Sequence, residues 1–259
     1  VYNHTLSLLM NMLSYKTHEI MNIPVAAISM TQAVAICKSY IEKSGSYIIA
    51  TANAEMIMRA QEDKDLKKVL CNADLVVADG AGVLWAGEVF GTPFPERVTG
   101  ADLMQELMVQ AVKYDWPIYF LGGAPGVAAK AAACFEAKYK KNPVVGIHDG
   151  FFDEEEESAI IQEIRNSQVK LLFVGMGVPK QEKWIYEHKQ ELGNLIAIGV
   201  GGVFDVMAGH LKRAPLWMQK HRLEWAYRLL LQPSRITRMV ALPKFMLAVK
   251  KWKKDSKRS

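Results

Sequence analysis

The sequence predicts an α/β protein: a Rossmann-like, largely parallel sheet with flanking helices and a C-terminal basic amphipathic helical appendage. From Ile23 onward, apolar runs of about five or six residues alternate with helical patterns, and strand followed by helix, repeated, implies parallel pairing with helices on both faces. Glycine-rich turns close several of these runs. Lysine and arginine gather after Gly209 among aromatic and aliphatic residues. Together these observations divide the chain into an N-terminal extension over residues 1–22, a Rossmann-like core over 23–209 and a basic helical appendage over 210–259.

Within the first stretch, Thr5 to Leu13 is apolar but has no basic residues ahead of it and no small-residue cleavage site behind it, which reads as a short packing helix and not as a signal peptide. The expected strands are Ser46–Ala52, Asp74–Ala78, Pro117–Leu121, Val144–Ile147, Lys170–Val174 and Leu195–Val200. The expected helices are Thr31–Lys43, Glu55–Leu70, Gly80–Phe90, Ala101–Tyr114, Gly126–Tyr139, Glu154–Asn166 and Pro179–Gln190. After Gly209, Pro215 suits a first helical turn and Pro233 ends that piece. Ser234 is placed to cap a second helix running from Arg235 toward Lys254. No apolar run approaches the ~20 residues of a membrane-spanning helix.

Composition agrees with a globular chain: 259 residues, half of them hydrophobic and 23% charged, are enough for a sizeable core. Cys37, Cys71 and Cys134 are odd in number and form no CxxC pair, so they support neither a disulfide framework nor a cysteine zinc site, and a reducing compartment fits them. The net charge of +5 conceals an asymmetry. Residues 210–259 hold fourteen Lys and Arg against two acids, so the remainder of the chain is acidic and the tail is suited to an anionic partner. Interspersed aromatics and aliphatics favour a phospholipid surface over nucleic acid, for which no recognition module is present. A helical lid packed on the core with a solvated basic face is compatible with the same pattern.

In a parallel sheet, ligands bind beyond the carboxyl ends of the strands, so the residues there carry the functional information. They are Thr51-Ala52-Asn53, Ala78-Asp79-Gly80, Gly122-Gly123-Ala124-Pro125-Gly126, His148-Asp149-Gly150, Gly175 to Gln181, and Gly199 to Gly202. Glycine lets backbone N–H groups approach an anion, and a following helix N-terminus adds a positive dipole end, which together suit a diphosphate. No turn completes GxGxxG or a Walker lysine motif, so nicotinamide and P-loop chemistry are disfavoured. Asp63-Lys64-Asp65 has the DxD form of a metal site but lies in a polar stretch that reads as solvated helix, and the histidines show no ligand spacing. No metal and no cofactor are expected. His148 reads as a hydrogen-bonded structural residue.

Asp79 follows an apolar run at the ligand edge, where it serves either as a functional carboxylate or as a helix N-cap. Arg97 serves either as a surface ion-pair partner or as an anion clamp, and Gln181 either caps a helix or reads a sugar hydroxyl.

The ordered motifs Thr51-Ala52-Asn53, Ala78-Asp79-Gly80, Arg97-Val98-Thr99-Gly100-Ala101-Asp102, Phe120-Leu121-Gly122-Gly123, Gly175 to Glu182, Gly199 to Asp205 and Arg213-Ala214-Pro215 resemble the WecG/TagA/CpsF family of bacterial glycosyltransferases. The likeness runs from Ile23 to about Arg238. It implies an inverting, metal-independent transfer of N-acetylmannosamine, its uronic acid or a related sugar from a UDP donor. The implied acceptor is N-acetylglucosamine-diphosphate-undecaprenol at the inner face of the bacterial cell membrane, in wall teichoic acid or related surface-glycan synthesis.

The resemblance implies Asp79 as general base, with Arg97 and Gln181 also catalytic. It puts Thr51, Asn53, Gly122, Gly123 and Asp205 at the substrates. Arg228, Arg235 and Arg238 are implied on a diphosphate, with Arg213 and Arg222 as further candidates. A non-catalytic nucleotide-sugar or phospholipid-binding scaffold needs the same glycine turns and tail but no ionisable group at position 79. The sequence leaves homo-oligomerisation open.

Overall fold

A computed structural model describes residues 14–212, 214–215, 217–218, 221, 226–227, 230 and 241–255. The expected packing helix of Thr5 to Leu13 lies outside them, as do Arg213, Arg222, Arg228, Arg235 and Arg238. An eight-stranded sheet has the order β1-β2-β4-β3-β8-β7-β5-β6. All six expected strands form, as β3 (Tyr47–Ala52), β4 (Leu75–Ala78), β5 (Ile118–Gly122), β6 (Val144–His148), β7 (Leu171–Gly175) and β8 (Ile196–Gly199). They pair in parallel throughout.

The sheet also contains a hairpin that the apolar pattern did not predict. β1 (Lys16–Ile20) pairs antiparallel with β2 (Ile23–Ala27) through all five residue pairs, and β2 joins β4 in parallel. Met21 and Asn22 both take left-handed φ values, the geometry of a two-residue hairpin turn whose twist matches that of its strands. β1 reads Lys-Thr-His-Glu-Ile and is largely exposed, as an edge strand can be. The sheet therefore begins at Lys16, ahead of the expected start of the core at Ile23.

Helices cover both faces. On one face, α1 (Met30–Lys43), α5 (Gly100–Tyr114), α6 (Val127–Tyr139) and the short α9 (Val203–Met207) pack on Ile49, Val77, Phe120, Phe173 and Ile198. On the other lie α2 (Ala54–Glu62), α3 (Lys64–Asn72), α4 (Ala81–Phe90), α7 (Glu154–Asn166) and α8 (Lys180–Glu187). Local chemistry sets the helix starts. Ser29 with Gln32, and Asp153 with Glu156, form reciprocal capping boxes, and four glutamates occupy the first turn of α7, where the dipole favours them.

The expected helix Glu55–Leu70 is two helices broken at Asp63. Its side chain accepts from the N–H groups of Asp65 and Leu66 at 3.1 and 3.0 Å and pairs with Lys183 at 2.8 Å. Chiefly the Lys183 contact holds its carboxyl below the usual range. The first acid of the DxD sequence is therefore a helix cap and ion-pair partner, not part of a solvated helix surface.

The last helix, α10 (Ala241–Asp255), packs on α2 and α4. Phe245 and Val249 are fully buried there. Gly82 of α4 makes room for it, since a Cβ at that position would come within 2.9 Å of Leu242. The apolar stripe of this part of the tail is thus spent on the core, and removing it would uncover the faces of α2 and α4.

Candidate active site

β5 continues through α6 on one face to β6, whereas β7 continues through α8 on the other face to β8. Between β5 and β7 the connections diverge, and the crevice outside the carboxyl ends at such a point is the usual ligand position in these sheets. Gly122-Gly123 and Gly175 to Gly177 line it. Gly123 N–H donates to Gly175 O at 3.0 Å, and Gly150 N–H to Gly123 O at 2.9 Å. Gly122 has φ 126°, and a Cβ there would sit 2.5 Å from the Gly175 backbone. Only glycine lets the two turns close on one another. Phe204 packs beneath Gly123 and Gly175, and its chain neighbour Asp205 lies in the first turn of α9.

One strand further along are the ends of β3 and β4. Thr51 is buried, with its hydroxyl 3.4 Å from Gly199 O and its side chain against Gly100. Asn53 caps α2 by accepting from Met56 N–H at 2.9 Å, and it borders Gly80. Asp79 N–H donates to Ala52 O at 2.8 Å, and its Oδ2 accepts from Gly100 N–H at 3.4 Å. Its carboxylate thus faces the positive end of the fifteen-residue α5. Asp79 is not the cap of the helix that follows it, because Gly80 holds that position without a side-chain bond, so the N-cap alternative falls. Arg97 is half-buried in the loop before α5, and the bond from Val98 N–H to Ala78 O at 3.0 Å pins that loop beside Asp79.

Gln181 occupies a different kind of position. It is 2% exposed, and its carbonyl oxygen accepts from Gly177 N–H at 3.1 Å and from Gly201 N–H at 3.0 Å. Its amide nitrogen donates to Glu182 Oε1 at 2.6 Å. This side chain joins the turns after β7 and β8 instead of presenting its carbonyl to a sugar. His148 is structural as expected, with Nδ1 3.0 Å from Asp149 O and its ring edge-on to Phe152.

Thr51, Asn53, Asp79, Arg97 and Gln181 therefore gather at the ends of β3, β4 and β8, Gly122 and Gly123 meet Gly175 at the ends of β5 and β7, and Asp205 lies in the first turn of α9. The tail arginines Arg228, Arg235 and Arg238 are outside the described residues. Among the described residues no three His, Cys, Asp or Glu could together hold a metal ion.

Sequence reasoning missed three residues at this edge. Glu182 is buried beside Gln181, with Oε2 lacking a hydrogen-bond partner among the described residues. Burial pushes its carboxyl up to about 7, against the opposing pull of the Gln181 bond and Arg59. Arg59 of α2 donates to Val178 O at 2.6 Å and steadies the turn before α8. Phe151 stands 71% exposed next to Gly150, whose N–H donates to Gly123 O. A glutamate in an otherwise polar helix carried no signal of burial, whereas Phe151-Phe152 directly after a glycine turn was a legible one.

An α/β sheet with glycine turns and a carboxylate at its carboxyl edge defines the class as a ligand-binding Rossmann-like protein. The family model described as glycosyl transferase WecG/TagA/CpsF matches residues 18–259. An N-acetylglucosaminyldiphosphoundecaprenol N-acetyl-beta-D-mannosaminyltransferase of Bacillus subtilis (strain 168) is 32% identical over 243 residues, covering 93% of this chain and 94% of the relative. A protein of the same name from Bacillus spizizenii (strain ATCC 23059 / NRRL B-14472 / W23) is 33% identical over 218 residues, covering 84% of each. The chain belongs to the WecG/TagA/CpsF family and is a glycosyltransferase.

Proposed function

We propose that the protein transfers N-acetylmannosamine or a related sugar, with inversion, from a UDP donor to N-acetylglucosamine-diphosphate-undecaprenol in wall teichoic acid or related surface-glycan synthesis. The names of both relatives support this acceptor and sugar. The observation that carries the mechanism is the carboxylate of Asp79 at the sheet edge, held toward the start of α5, with the loop that carries Arg97 pinned to the end of β4.

A sugar hydroxyl becomes a competent nucleophile as it loses its proton. Asp79 accepts that proton while the acceptor oxygen bonds the anomeric carbon from the face opposite UDP. The breaking bond leaves its electron pair on the diphosphate. Arg97, the crevice N–H groups and the tail arginines Arg228, Arg235 and Arg238 meet the charge that develops there. Thr51 and Asn53 shape the floor, Gly122, Gly123 and Asp205 border the donor, and Gln181 acts through the turns that it joins.

Substrate delivery falls to the tail. Among the described residues no helix is long and apolar enough to cross a membrane. On α10, Lys244, Leu247, Lys251 and Lys254 recur at helical spacing along one exposed stripe, opposite the buried Phe245 and Val249. An exposed leucine set among lysines suits an anionic bilayer surface, where the lipid-linked acceptor resides.

The test is sugar transfer from UDP-N-acetylmannosamine to a short-chain N-acetylglucosamine-diphosphate lipid, in EDTA, by the intact protein and by Asp79→Asn. Turnover that survives EDTA and falls by about 10²–10⁴ in the variant is expected. Equal turnover by the two proteins removes Asp79 as base.

A further inference from the structure

The Gln181 amide is held at both ends. Two backbone donors, Gly177 N–H and Gly201 N–H, converge on its oxygen, and the Glu182 carboxylate takes a hydrogen from its nitrogen. Only one orientation satisfies all three contacts. A flipped amide would set its NH₂ against two N–H donors and its oxygen against a carboxylate. The contact of 2.6 Å to Glu182 is short enough for a charge-assisted bond, the strongest of the three.

Space around the pair is closed. A Cβ at Gly199 would come within 2.5 Å of Gln181 Nε2 and 2.8 Å of Glu182 Oε1, so the end of β8 is itself shaped to these two side chains. Glu182 is only 4% exposed and its second oxygen has no partner among the described residues. Arg59 and Glu55 of α2 are the charged groups that act on it, one favouring and one opposing its charge. A buried carboxylate so incompletely satisfied disfavours the folded state.

We infer that Glu182 is a positioning residue, whose carboxylate fixes the orientation of the Gln181 amide and thereby the spacing of the turns after β7 and β8. The consequence for catalysis rests on the proposed donor site, since those turns border the crevice assigned to UDP. Glu182 touches no substrate in this scheme. It acts through Gln181, whose buried amide needs an acceptor.

Glu182→Met and Glu182→Gln test this. Methionine keeps the volume and removes the acceptor, whereas glutamine supplies a neutral one. Amide hydrogen exchange reads the turns without reference to any ligand, and titration with UDP reads the crevice. In Glu182→Met, peptides covering Gly177 and Gly201 should exchange at least about tenfold faster while those covering the buried β7 stay protected. The same variant should bind UDP about tenfold more weakly at temperatures where it remains cooperatively folded. Glu182→Gln should restore both turns and bind UDP within about twofold of the wild type, a rescue that a purely volume-filling role would not give.

Wild-type protection of both turns in Glu182→Met would overturn the inference. So would equal loosening in Glu182→Gln. Loosened turns with unchanged UDP affinity would support the positioning role and refute instead the assignment of these turns to the donor.

Discussion

Glu182 titrates far from the ordinary carboxylate range, and that makes its burial measurable as a dependence of stability on pH. Burial raises its pKa from 4.5 to about 7 in the folded protein. Between those values the folded chain binds more protons at this site than the unfolded chain does, so stability falls as pH rises. The group disfavours folding little below about pH 4.5 and fully above about pH 7. At about 1.4 kcal/mol per pH unit, the full cost is about 3 kcal/mol, most of which develops between about pH 5 and pH 8.

Glu182→Gln has no proton to lose at this position and keeps an acceptor for Gln181. The assay is urea unfolding of both proteins at about pH 5 and about pH 8. The wild type should lose about 2–3 kcal/mol more than the variant over that interval. Comparing the two changes cancels every other titrating group. Parallel losses, within about 0.5 kcal/mol, would refute the argument that this carboxyl is desolvated in the folded state.

Three further outcomes follow from the packing. Phe245→Ala should destabilise the protein by about 3–5 kcal/mol in urea unfolding, because the ring is fully buried between α10 and the core. Gly199→Ala should cost about 1–3 kcal/mol by the same measurement and weaken UDP binding too, since its Cβ would displace the Gln181 amide. Phe151→Ala should leave the melting temperature unchanged, as the ring is 71% exposed, and should weaken UDP binding about tenfold by calorimetry if the ring stacks on the base.

Much of the fold was legible in the sequence because its signals are local. The runs that became β3, β4, β5, β7 and β8 are continuous and apolar, as strands covered on both faces must be, and the glycine turns among them marked the ligand edge. β1 escaped because an exposed edge strand has no apolar pattern to display. The break at Asp63 escaped because the polar stretch around it fits helix either side of a cap. Asp79 and its place at the sheet edge were evident from one apolar run and one acid.

Tertiary structure decided what the neighbouring residues do. Asp79 is no cap, because Gly80 holds that position, and its carboxylate meets Gly100 N–H, 21 positions away in sequence. Gln181 carried the same motif whether it faced a sugar or two backbone amides, and the second is observed. Arg59 reaches Val178 across 119 positions, and no periodicity records such a pairing. The sequence by itself determined the alternation of strand and helix, the anion-suited edge and the basic tail, because hydrophobic period and turn chemistry act over a few residues. Burial of Glu182, the joining of two glycine turns and the docking of α10 were decided only in three dimensions, because desolvation and hydrogen-bond partnership depend on which distant segments meet.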